Sequence, residues 1–426
     1  MGMEKMNFTV GIIGLGYVGL PLCLAVSKKH TVIGYDINEQ VVENLKKLKD
    51  ETGELTEEAL GEFTGKLTND PNSLKECDLF IVTVPTPVDA QNKPDLTAIV
   101  SATKLIASML RRGTIICYES TVYPGTTEEI CVPILEDNSK LVYNVDFFVG
   151  YSPERVSPGD SLHTIEKVVK VTSGSTEATA DILDYFYQSI LSVTTFKASS
   201  IRVAEAAKIL ENTQRDVNIA FMNEMALFFD NLGLRTSDVL AAAKTKWNFL
   251  DFKPGLVGGH CISVDPYYLI SKADEHNVSL KIVKESRNVN EAVPVIIADK
   301  VIENLLKTRG NSVGCAVLIL GWAFKENVKD TRNSKVMDIA LRLNDHGLKV
   351  KIYDPVVGVD IEIPNSSIAI TSSFPIDEMF HATIAAVSHD EIKKISMSSI
   401  KKIMHENPII FDLQNIWKKE VITFRL

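Results

Sequence analysis

Length, composition and charge restrict what kind of protein this chain can be. Its 426 residues are too many for one hydrophobic core, so we expect two or three domains. A hydrophobic fraction of 45% with 23% charged residues is typical of a soluble globular protein, and a net charge of −10 argues against nucleic acid as the main partner.

The cysteine pattern and the distribution of apolar residues indicate where in the cell the protein is located. The six cysteines are scattered and form no CxxC pair, which argues against a metal site or a disulfide framework and favours a reducing environment. The N-terminal residues show neither an apolar signal stretch nor a myristoylation pattern, and no window approaches the ~18 apolar residues that span a bilayer. We therefore expect a cytoplasmic protein with no membrane partner.

The first forty residues have the pattern of a dinucleotide site. An apolar run at 8–13 leads into the glycine pattern GxGxxG at 14–19, then a helix, then a strand at 31–35 that ends at Asp36. This order predicts a Rossmann unit, with a pyrophosphate at the helix N-terminus and the adenosine ribose on Asp36. Because a 2′-phosphate would meet a like charge at Asp36, NAD is favoured over NADP. The predicted cofactor contacts in the turn are Gly14, Gly16, Tyr17, Val18 and Gly19.

Three further predicted strands end in polar residues. Three apolar runs between residues 78 and 151 each suit the buried centre of a parallel sheet. The polar residues that follow them are Thr86, Thr121 and the turn at 152–155. In open α/β sheets, ligands bind beyond the carboxyl ends of the strands, so we expect these three ends to meet where the nicotinamide lies.

Residues 200–232 are predicted to form one long helix, since they contain no proline and their apolar positions recur at helical spacing. Lys208, Asn212 and Arg215 are four and three residues apart, so they share one face. A solvated face is the ordinary interpretation of such a stripe. The surrounding residues, however, predict a helix buried nearly all round, where polar groups need partners. The stripe therefore favours a site for an anionic or polar ligand.

The segment 253–266, KPGLVGGHCISVDP, places a thiol directly after two glycines and four residues before a carboxylate. Gly258 and Gly259 permit positive φ and the close approach of a ligand. In such a loop Cys261 can attack a carbonyl carbon, and Asp265 can manage a water or a proton. A buried cysteine in a glycine-rich turn is the alternative interpretation. The predicted dinucleotide site elsewhere in the chain favours the nucleophile.

A second α/β region completes the chain. We predict a helix at 294–306, a linker at 310–312 and a buried strand at 315–321, followed by alternating helices and strands. No second GxGxxG occurs, so this region is not expected to hold a second dinucleotide. The predicted fold class is α/β, with two Rossmann-like parallel-sheet domains joined by a helical central region. The predicted domains are residues 1–199, 200–309 and 310–426.

With these segments in place, the chain resembles the UDP-sugar 6-dehydrogenase family along essentially its whole length. The sequences GGHC at 258–261 and PERV at 153–156 resemble the branch that acts on UDP-N-acetylhexosamines, for capsules, O-antigens and Vi-type polysaccharide, more than the UDP-glucose branch. The matching segments are 14–19, 84–87, 119–121, 153–156, 211–212, 215–218, 258–261, 324–327 and 330–332.

The resemblance implies an enzyme that oxidises the C6 alcohol of a UDP-N-acetylhexosamine to a carboxylate, with two hydride transfers to two successive NAD molecules. Cys261 would form a thiohemiacetal and then a thioester that water cleaves. A homodimer is also implied. The implied catalytic residues are Cys261, Lys208, Asn212, Asp265, Thr121 and Glu154. The implied substrate contacts are Arg155, Val156, Lys208, Asn212, Arg215, Gly258, Phe324 and Lys325, and the further cofactor contacts are Thr86, Thr121 and Arg332.

Three places depart from the pattern of the family. Val41 stands where a basic residue is frequent, and Pro158 stands where UDP-glucose enzymes carry a second glutamate. Gln414 and Asn415 stand where relatives have a lysine and a glycine. We expect these departures to alter local contacts rather than the activity.

Several alternatives stay open at this stage. UDP-N-acetylglucosamine is the first choice of substrate, with the galacto epimer next and UDP-N-acetylmannosamine and UDP-glucose as further alternatives. One competing class is an NAD enzyme that oxidises a hydroxyl once, as β-hydroxyacid dehydrogenases do. Another is a catalytically silent protein that binds NAD or a UDP-sugar.

Overall fold

The computed structural model describes residues 7–156, 165, 167–192, 194–417 and 422–426. The chain divides into two compact units. Unit 1 comprises Met1–Glu211 with Tyr267–Val278, and unit 2 comprises Asn212–Pro266 with Ser279–Leu426. Pro158 lies outside the described residues. The predicted domain boundaries at residues 199 and 309 stay a prediction.

Unit 1 is built on a parallel sheet. Its six strands are β1 (Thr9–Ile13), β2 (Thr31–Tyr35), β3 (Lys66–Thr68), β4 (Leu79–Val82), β5 (Ile115–Tyr118) and β6 (Phe148–Tyr151). They lie in the order β3-β2-β1-β4-β5-β6, which is the doubly wound order of a dinucleotide-binding sheet. A separate parallel pair is formed by β7 (Lys170–Thr172) and β8 (Thr195–Lys197). The predicted Rossmann unit is confirmed.

Apolar strands and helices explain why this sheet forms. The strands β4 and β5 are buried at every position, as their continuous apolar runs predict. Two hydrophobic clusters, one on each side of the sheet, cover it. Cys77 and Cys117 are buried there. The helices are α1 (Gly19–Ser27), α2 (Glu39–Lys46), α3 (Glu57–Gly61), α4 (Thr97–Ala107), α5 (Val132–Ser139) and α6 (Glu177–Ile190).

The middle of the chain is helical, as predicted. Its helices are α7 (Ile201–Asn231), α8 (Thr236–Ala243), α9 (Asp265–Glu275) and α10 (Lys281–Arg309). The predicted start of the last helix at Pro294 is wrong, because α10 already begins at Lys281 and keeps Pro294 in its interior. Pro294 is buried beside Val293 and Ile297, and this packing offsets the cost of a proline inside a helix, which is about 3 kcal/mol. Among the described helices, none is both long enough and apolar enough to cross a membrane.

The prediction that the long helix is buried nearly all round is also wrong. On α7, Leu210 is 63% exposed, Phe221 54% and Phe228 52%. The helix therefore has an apolar outer face in addition to its buried face. Sequence periodicity counted both faces as core, because an apolar side chain on the outer face has the same sequence signature as a buried one.

Unit 2 contains the second sheet. Its strands are β9 (Ala316–Leu320), β10 (Lys349–Tyr353), β11 (Ile361–Glu362), β12 (Ile368–Thr371), β13 (Phe380–Ala385), β14 (Met404–Asp412) and β15 (Phe424–Arg425). The order is β11-β12-β10-β9-β13-β14-β15, and every pair is parallel except β11 with β12. The second parallel-sheet region is thus confirmed. Its helices are α11 (Lys335–Asp345), α12 (Asp390–Lys393) and α13 (Met397–Lys402).

Candidate active site

The glycine turn between β1 and α1 fits a dinucleotide. Gly14 has a φ of +98°, a conformation that residues with a Cβ rarely adopt. A Cβ on Gly19 would lie 1.9 Å from the carbonyl oxygen of Gly14, so α1 can pack this closely only with glycine there. Nothing lies within 4 Å of the position where Gly16 would carry a Cβ, which leaves room for a pyrophosphate. Tyr17 and Val18, both half-buried, lead into α1.

Asp36 is held at the end of β2. Its two carboxylate oxygens accept backbone hydrogen bonds from Leu15 and Asn38, each at 2.9 Å. The carboxylate therefore lies beside the glycine turn, where a ribose would need an acceptor. Val41, the first departure from the family pattern, packs against the hydrophobic core instead of presenting a charge. The turn and Asp36 together fit NAD.

The ends of β4 and β5 come together, as the sequence predicts. The hydroxyl of Thr86 donates a hydrogen bond of 2.6 Å to the carbonyl oxygen of Thr121, and the hydroxyl of Ser120 donates one of 2.7 Å to the carbonyl oxygen of Val84. These contacts follow from the neighbouring positions of the two strands in the sheet. Thr86 and Thr121 are thus fixed at the edge where ligands of such sheets bind.

The turn after β6 carries a buried carboxylate. One oxygen of Glu154 accepts hydrogen bonds from the backbone amides of Arg155 and Val156, and the other lies 3.3 Å from Lys170 Nζ. Burial by itself would raise the pKa of Glu154, but Lys170, the two amides and Lys208 outweigh it and lower that pKa. Glu154 is therefore ionised at neutral pH.

The first half of α7 organises this part of unit 1. Glu205 accepts hydrogen bonds from the amides of Gly125 and Thr127, in the segment after Thr121, and burial raises its pKa to about 7. One helical turn later, Lys208 is buried, and its charge acts on Glu154. Lys208 and Glu154, which the sequence proposes as partners in one site, are therefore brought together.

Arg155 has a partner that the sequence did not predict. Its guanidinium forms an ion pair with Glu211 on α7, with the closest nitrogen and oxygen 2.7 Å apart, and also donates to the carbonyl oxygen of Val169. Val156 is half-buried beside it. The sequence did point to Glu211, because this residue belongs to a segment that matches the family. Its ion pair with Arg155, 56 positions away, cannot be derived from the spacing of residues.

In unit 2, Cys261 lies in the turn that leads into α9. Its carbonyl oxygen accepts hydrogen bonds from the amides of Val264 and Asp265. Gly259 has a φ of +81°, and a Cβ there would lie 2.7 Å from the ring of Phe324. A Cβ on Gly258 would lie 2.6 Å from the carbonyl oxygen of Asn333. The glycine pair is therefore needed for the Cys261 turn to pack closely against the segment that contains Phe324 and Asn333.

The side chains of Asn212 and Asp265 meet in unit 2. The amide nitrogen of Asn212 donates a hydrogen bond of 2.5 Å to Asp265, which is almost completely buried at the start of α9. Arg215, three residues after Asn212, is exposed. The structure thus brings together Asn212 and Asp265, two of the predicted catalytic residues, while Arg215 lies on the surface of unit 2.

Arg332 is engaged within unit 2. It forms an ion pair with Asp330, 2.6 Å apart, and its guanidinium lies 3.1 Å from Nε2 of His260. An arginine can only donate, so Nε2 of His260 accepts. Burial and the charge of Arg332 lower the pKa of His260, against the opposite effect of Asp330. His260 is therefore neutral at pH 7.

A buried aspartate, Asp354, holds the start of the loop that carries Phe324 and Lys325. Its carboxylate accepts hydrogen bonds from the amides of Trp322 and Ala323, and lies 3.1 Å from Nε2 of His389. Burial alone would raise the pKa of Asp354, but His389 and backbone amides lower it to about 2. Both Phe324 and Lys325 are half-buried.

Gln414 belongs to the third place where the chain departs from the family pattern. Its side-chain amide donates a hydrogen bond to the carbonyl oxygen of Ala386, which is a local contact.

The six thiols differ in environment. Cys261 is half-buried, while the other five are buried. Burial raises the pKa of Cys77, Cys117 and Cys131 to about 12 and that of Cys23 further. Cys117 has polar neighbours, since its sulfur lies 3.5 Å from the Tyr187 hydroxyl and the charge of Glu119 contributes to raising its pKa. Among the described residues, no cluster of three or more histidine, cysteine or acidic side chains is suited to a metal ion.

The sheet order, the glycine turn and Asp36 define a dinucleotide-binding α/β protein whose site fits NAD. Three domain models of one family match the chain in sequence order. They are the NAD binding domain of the UDP-glucose/GDP-mannose dehydrogenase family at residues 8–191, its central domain at 202–292 and its UDP binding domain at 318–419. The chain belongs to the UDP-glucose/GDP-mannose dehydrogenase family.

Individual relatives agree with this assignment. The chain is 44% identical to a UDP-N-acetyl-D-glucosamine 6-dehydrogenase of Pseudomonas aeruginosa, over 99% of this chain and 100% of the relative. It is also 44% identical to an enzyme of the same name from Salmonella typhi, over 100% of both chains. Among solved structures, a UDP-D-ManNAc dehydrogenase from Pyrococcus horikoshii matches with a TM-score of 0.87 and 30% identity, covering 98% of this chain and 97% of the other.

Proposed function

We propose that this chain is a UDP-N-acetyl-D-glucosamine 6-dehydrogenase that oxidises the C6 alcohol to a carboxylate in two NAD-dependent steps, in the cytoplasm. The observation that carries the proposal is Cys261, a half-buried thiol in the turn that leads into α9, in a chain 44% identical to two enzymes of that name. A four-electron oxidation of this kind needs a nucleophile that can convert an aldehyde into a species able to lose hydride, and a thiol supplies one.

The proposed mechanism assigns a step to each catalytic side chain. Bound NAD supplies the hydride acceptor for each oxidation, and Lys208 and Asn212 assist the transfer of the C6 hydroxyl proton to water in the first one. Cys261 Sγ attacks the C6 aldehyde, and Lys208 and Asn212 donate hydrogen bonds to the oxyanion that forms, each such donor being worth about 3 kcal/mol. After the second oxidation, water adds to the thioester carbon and the C–S bond breaks. Cys261 then leaves as a thiolate. Asp265 positions the hydrolytic water, helped by a water near Thr121, and Glu154 helps by accepting the proton.

The remaining predicted residues bind ligands in this proposal. NAD lies on the glycine turn at 14–19, with its ribose on Asp36 and further contacts from Thr86, Thr121 and Arg332. The predicted substrate contacts, beyond Lys208 and Asn212, are Arg155, Val156, Arg215, Gly258, Phe324 and Lys325. The ion pairs of Arg155 with Glu211 and of Arg332 with Asp330 would orient these guanidinium groups for their ligands.

The test of this function is a panel of UDP-sugars with NAD. We expect kcat/KM to be highest for UDP-N-acetylglucosamine, next for the galacto epimer, and lower for UDP-N-acetylmannosamine and UDP-glucose, with two NADH formed per sugar consumed. One NADH per sugar would instead identify an enzyme that oxidises a hydroxyl once. Tight binding of both ligands without turnover would identify a silent binding protein. A kcat/KM for UDP-glucose at or above that of the N-acetyl sugars would refute the choice of substrate.

We further infer that two copies of the chain associate through unit 2. Phe221 and Val217 on α7 line an apolar groove with Ile282 and Val289 on α10, and Phe221 and Ile282 are mostly exposed. Exposed apolar patches of this kind mark interfaces, and a symmetric dimer is the commonest way to cover one. The proposed occupant is the same groove of a second copy.

Sedimentation equilibrium tests the dimer. Phe221→Asp places a charge in the groove and is expected to weaken dimerisation about 30-fold or more. The matched control is Ile376→Asp, at a single exposed apolar position of the same unit, which should leave the mass unchanged. A wild-type protein that sediments as a monomer at micromolar concentration would contradict the inference.

A further inference from the structure

Beneath the Glu154 turn lies a buried cation that sequence reasoning did not single out. Lys170, on β7, has its Nζ 2.7 Å from Glu119 and 3.3 Å from Glu154. Its side chain is 4% exposed, and that of Glu119 is fully buried. On its other side, Glu119 accepts a hydrogen bond from the hydroxyl of Tyr187 on α6. One lysine thus joins two carboxylates that come from the ends of neighbouring strands.

The cluster of Lys170, Glu119 and Glu154 contains one positive and two negative side chains. Burying an ion without a partner costs several kcal/mol, so one lysine between two carboxylates must be shared. Burial raises the pKa of Glu119, and the neighbouring charge of Glu154 adds to that rise, against the effect of Lys170. Glu154, in contrast, receives two backbone amides in addition to Lys170 and has its pKa lowered. The pKa values of the two carboxylates are therefore shifted in opposite directions, and Glu154 has the lower one.

The charged groups that act on Glu154 come from three elements. They are Lys170 on β7, Lys208 on α7 and Glu119 at the end of β5. Tyr187 donates a hydrogen bond to Glu119, and the sulfur of Cys117 lies 3.5 Å from the Tyr187 hydroxyl. A carboxylate oxygen accepts more than one hydrogen bond, so the oxygen of Glu154 that faces Lys170 can still take a proton from a water.

We propose that Lys170 and Glu119 are positioning residues for Glu154 as the base for thioester hydrolysis, where Lys170 keeps Glu154 ionised and oriented and Glu119 limits the effect of Lys170. The proposal rests on the function proposed above, and it assigns a role to two residues outside the predicted site. Lys170 fixes one oxygen of Glu154 while the Arg155 and Val156 amides fix the other. Glu119 limits how strongly Lys170 binds Glu154, which keeps Glu154 basic enough to accept the proton.

Lys170→Met tests the cation. Without it, Glu154 is protonated at higher pH, so the acid limb of the kcat profile should move up by about one unit. Hydride transfer does not use Glu154. The variant also loses the Lys170 contact that orients Glu154, so rapid mixing at pH 7, where Glu154 is still ionised, should give a burst of two NADH per site, followed by a steady state slowed about tenfold or more. Mass spectrometry of the quenched enzyme should find the sugar on Cys261 as a thioester. A merely structural role would lower the burst and the steady state together.

Glu119→Gln tests the second carboxylate that contacts Lys170, and this test does not depend on whether the Lys170→Met variant folds. It keeps the shape of the side chain and removes a negative charge near Glu154, so the acid limb should move to lower pH, opposite to the shift for Lys170→Met. The matched control is Lys197→Met on β8, the strand that pairs with β7. It breaks only the exposed ion pair of Lys197 with Asp181, and its pH profile should equal that of the wild type.

The outcomes separate this inference from the proposed function. A wild-type enzyme that forms one NADH per sugar, or never forms a covalent adduct at Cys261, contradicts the function itself. If the wild type forms two NADH per sugar and the Cys261 adduct, the positioning role is overturned by a Glu119→Gln variant whose acid limb of the kcat–pH profile is unchanged or lies at higher pH. The same holds for a folded Lys170→Met variant without the burst.

Discussion

Cys261→Ser is expected to lower the overall oxidation of the alcohol to the acid by several orders of magnitude while folding and ligand binding survive. Serine has nearly the same size and polarity as cysteine, but its hydroxyl has a far higher pKa and an alkoxide is a poorer leaving group than a thiolate. The measurement is steady-state NADH production. Mass spectrometry after incubation with substrate and NAD would detect any ester that accumulates slowly on Ser at this position.

The other cysteines provide matched controls for this experiment. Single Cys→Ser changes at Cys23, Cys77, Cys131 and Cys315 alter buried thiols, so they should affect stability more than turnover per folded enzyme. Cys117→Ser is informative separately, because Cys117 contacts Tyr187 near the Glu119 cluster. Near wild-type turnover by Cys261→Ser would exclude the thioester mechanism and return this loop to a structural role.

Asp36→Arg is expected to reverse the cofactor preference. The change removes the acceptor for the ribose hydroxyls and replaces a charge that repels a 2′-phosphate by one that binds it. A lost charged hydrogen bond costs about 1.5–3 kcal/mol, so kcat/KM for NAD should fall by about 10- to 100-fold, and that for NADP should rise. The measurement is the ratio of kcat/KM values for the two cofactors at saturating UDP-sugar.

A second variant distinguishes charge from local structure at this position. Asp36 also accepts backbone hydrogen bonds from Leu15 and Asn38, and Asp36→Arg disturbs both. Asp36→Asn keeps an acceptor oxygen and the size of the side chain, so it should weaken NAD binding less and gain little for NADP. An unchanged preference in Asp36→Arg would mean that Asp36 does not face the ribose.

Local features of the site were predictable because each depends on a short stretch of chain. The strands β1, β4 and β5 follow from continuous apolar runs, and the turn of Gly14 to Gly19 follows from positions where a Cβ would clash or force an unfavourable φ. The same reasoning located Cys261 in a tight glycine loop. These predictions need only the spacing of residues within about twenty positions.

Pairings between distant residues were not predictable. The ion pairs of Lys170 with Glu119 and of Arg155 with Glu211 join positions 51 and 56 residues apart. A lone lysine in the apolar run of β7 was a signal that a buried partner exists, but the sequence does not say which carboxylate lies opposite. The hydrogen bonds that Asp354 accepts at the end of β10 were missed for the same reason.

By itself, the sequence determined the Rossmann unit with its NAD cofactor, the helical middle, the second parallel-sheet region and the position of Cys261 in a glycine loop. Only the tertiary structure decided that α10 runs through Pro294, that α7 exposes an apolar face, and that Glu154 shares Lys170 with Glu119. The physical reason is that helix and strand periodicity are local properties of the chain. Burial on a given face and the pairing of charges depend instead on which elements become neighbours when the sheets assemble.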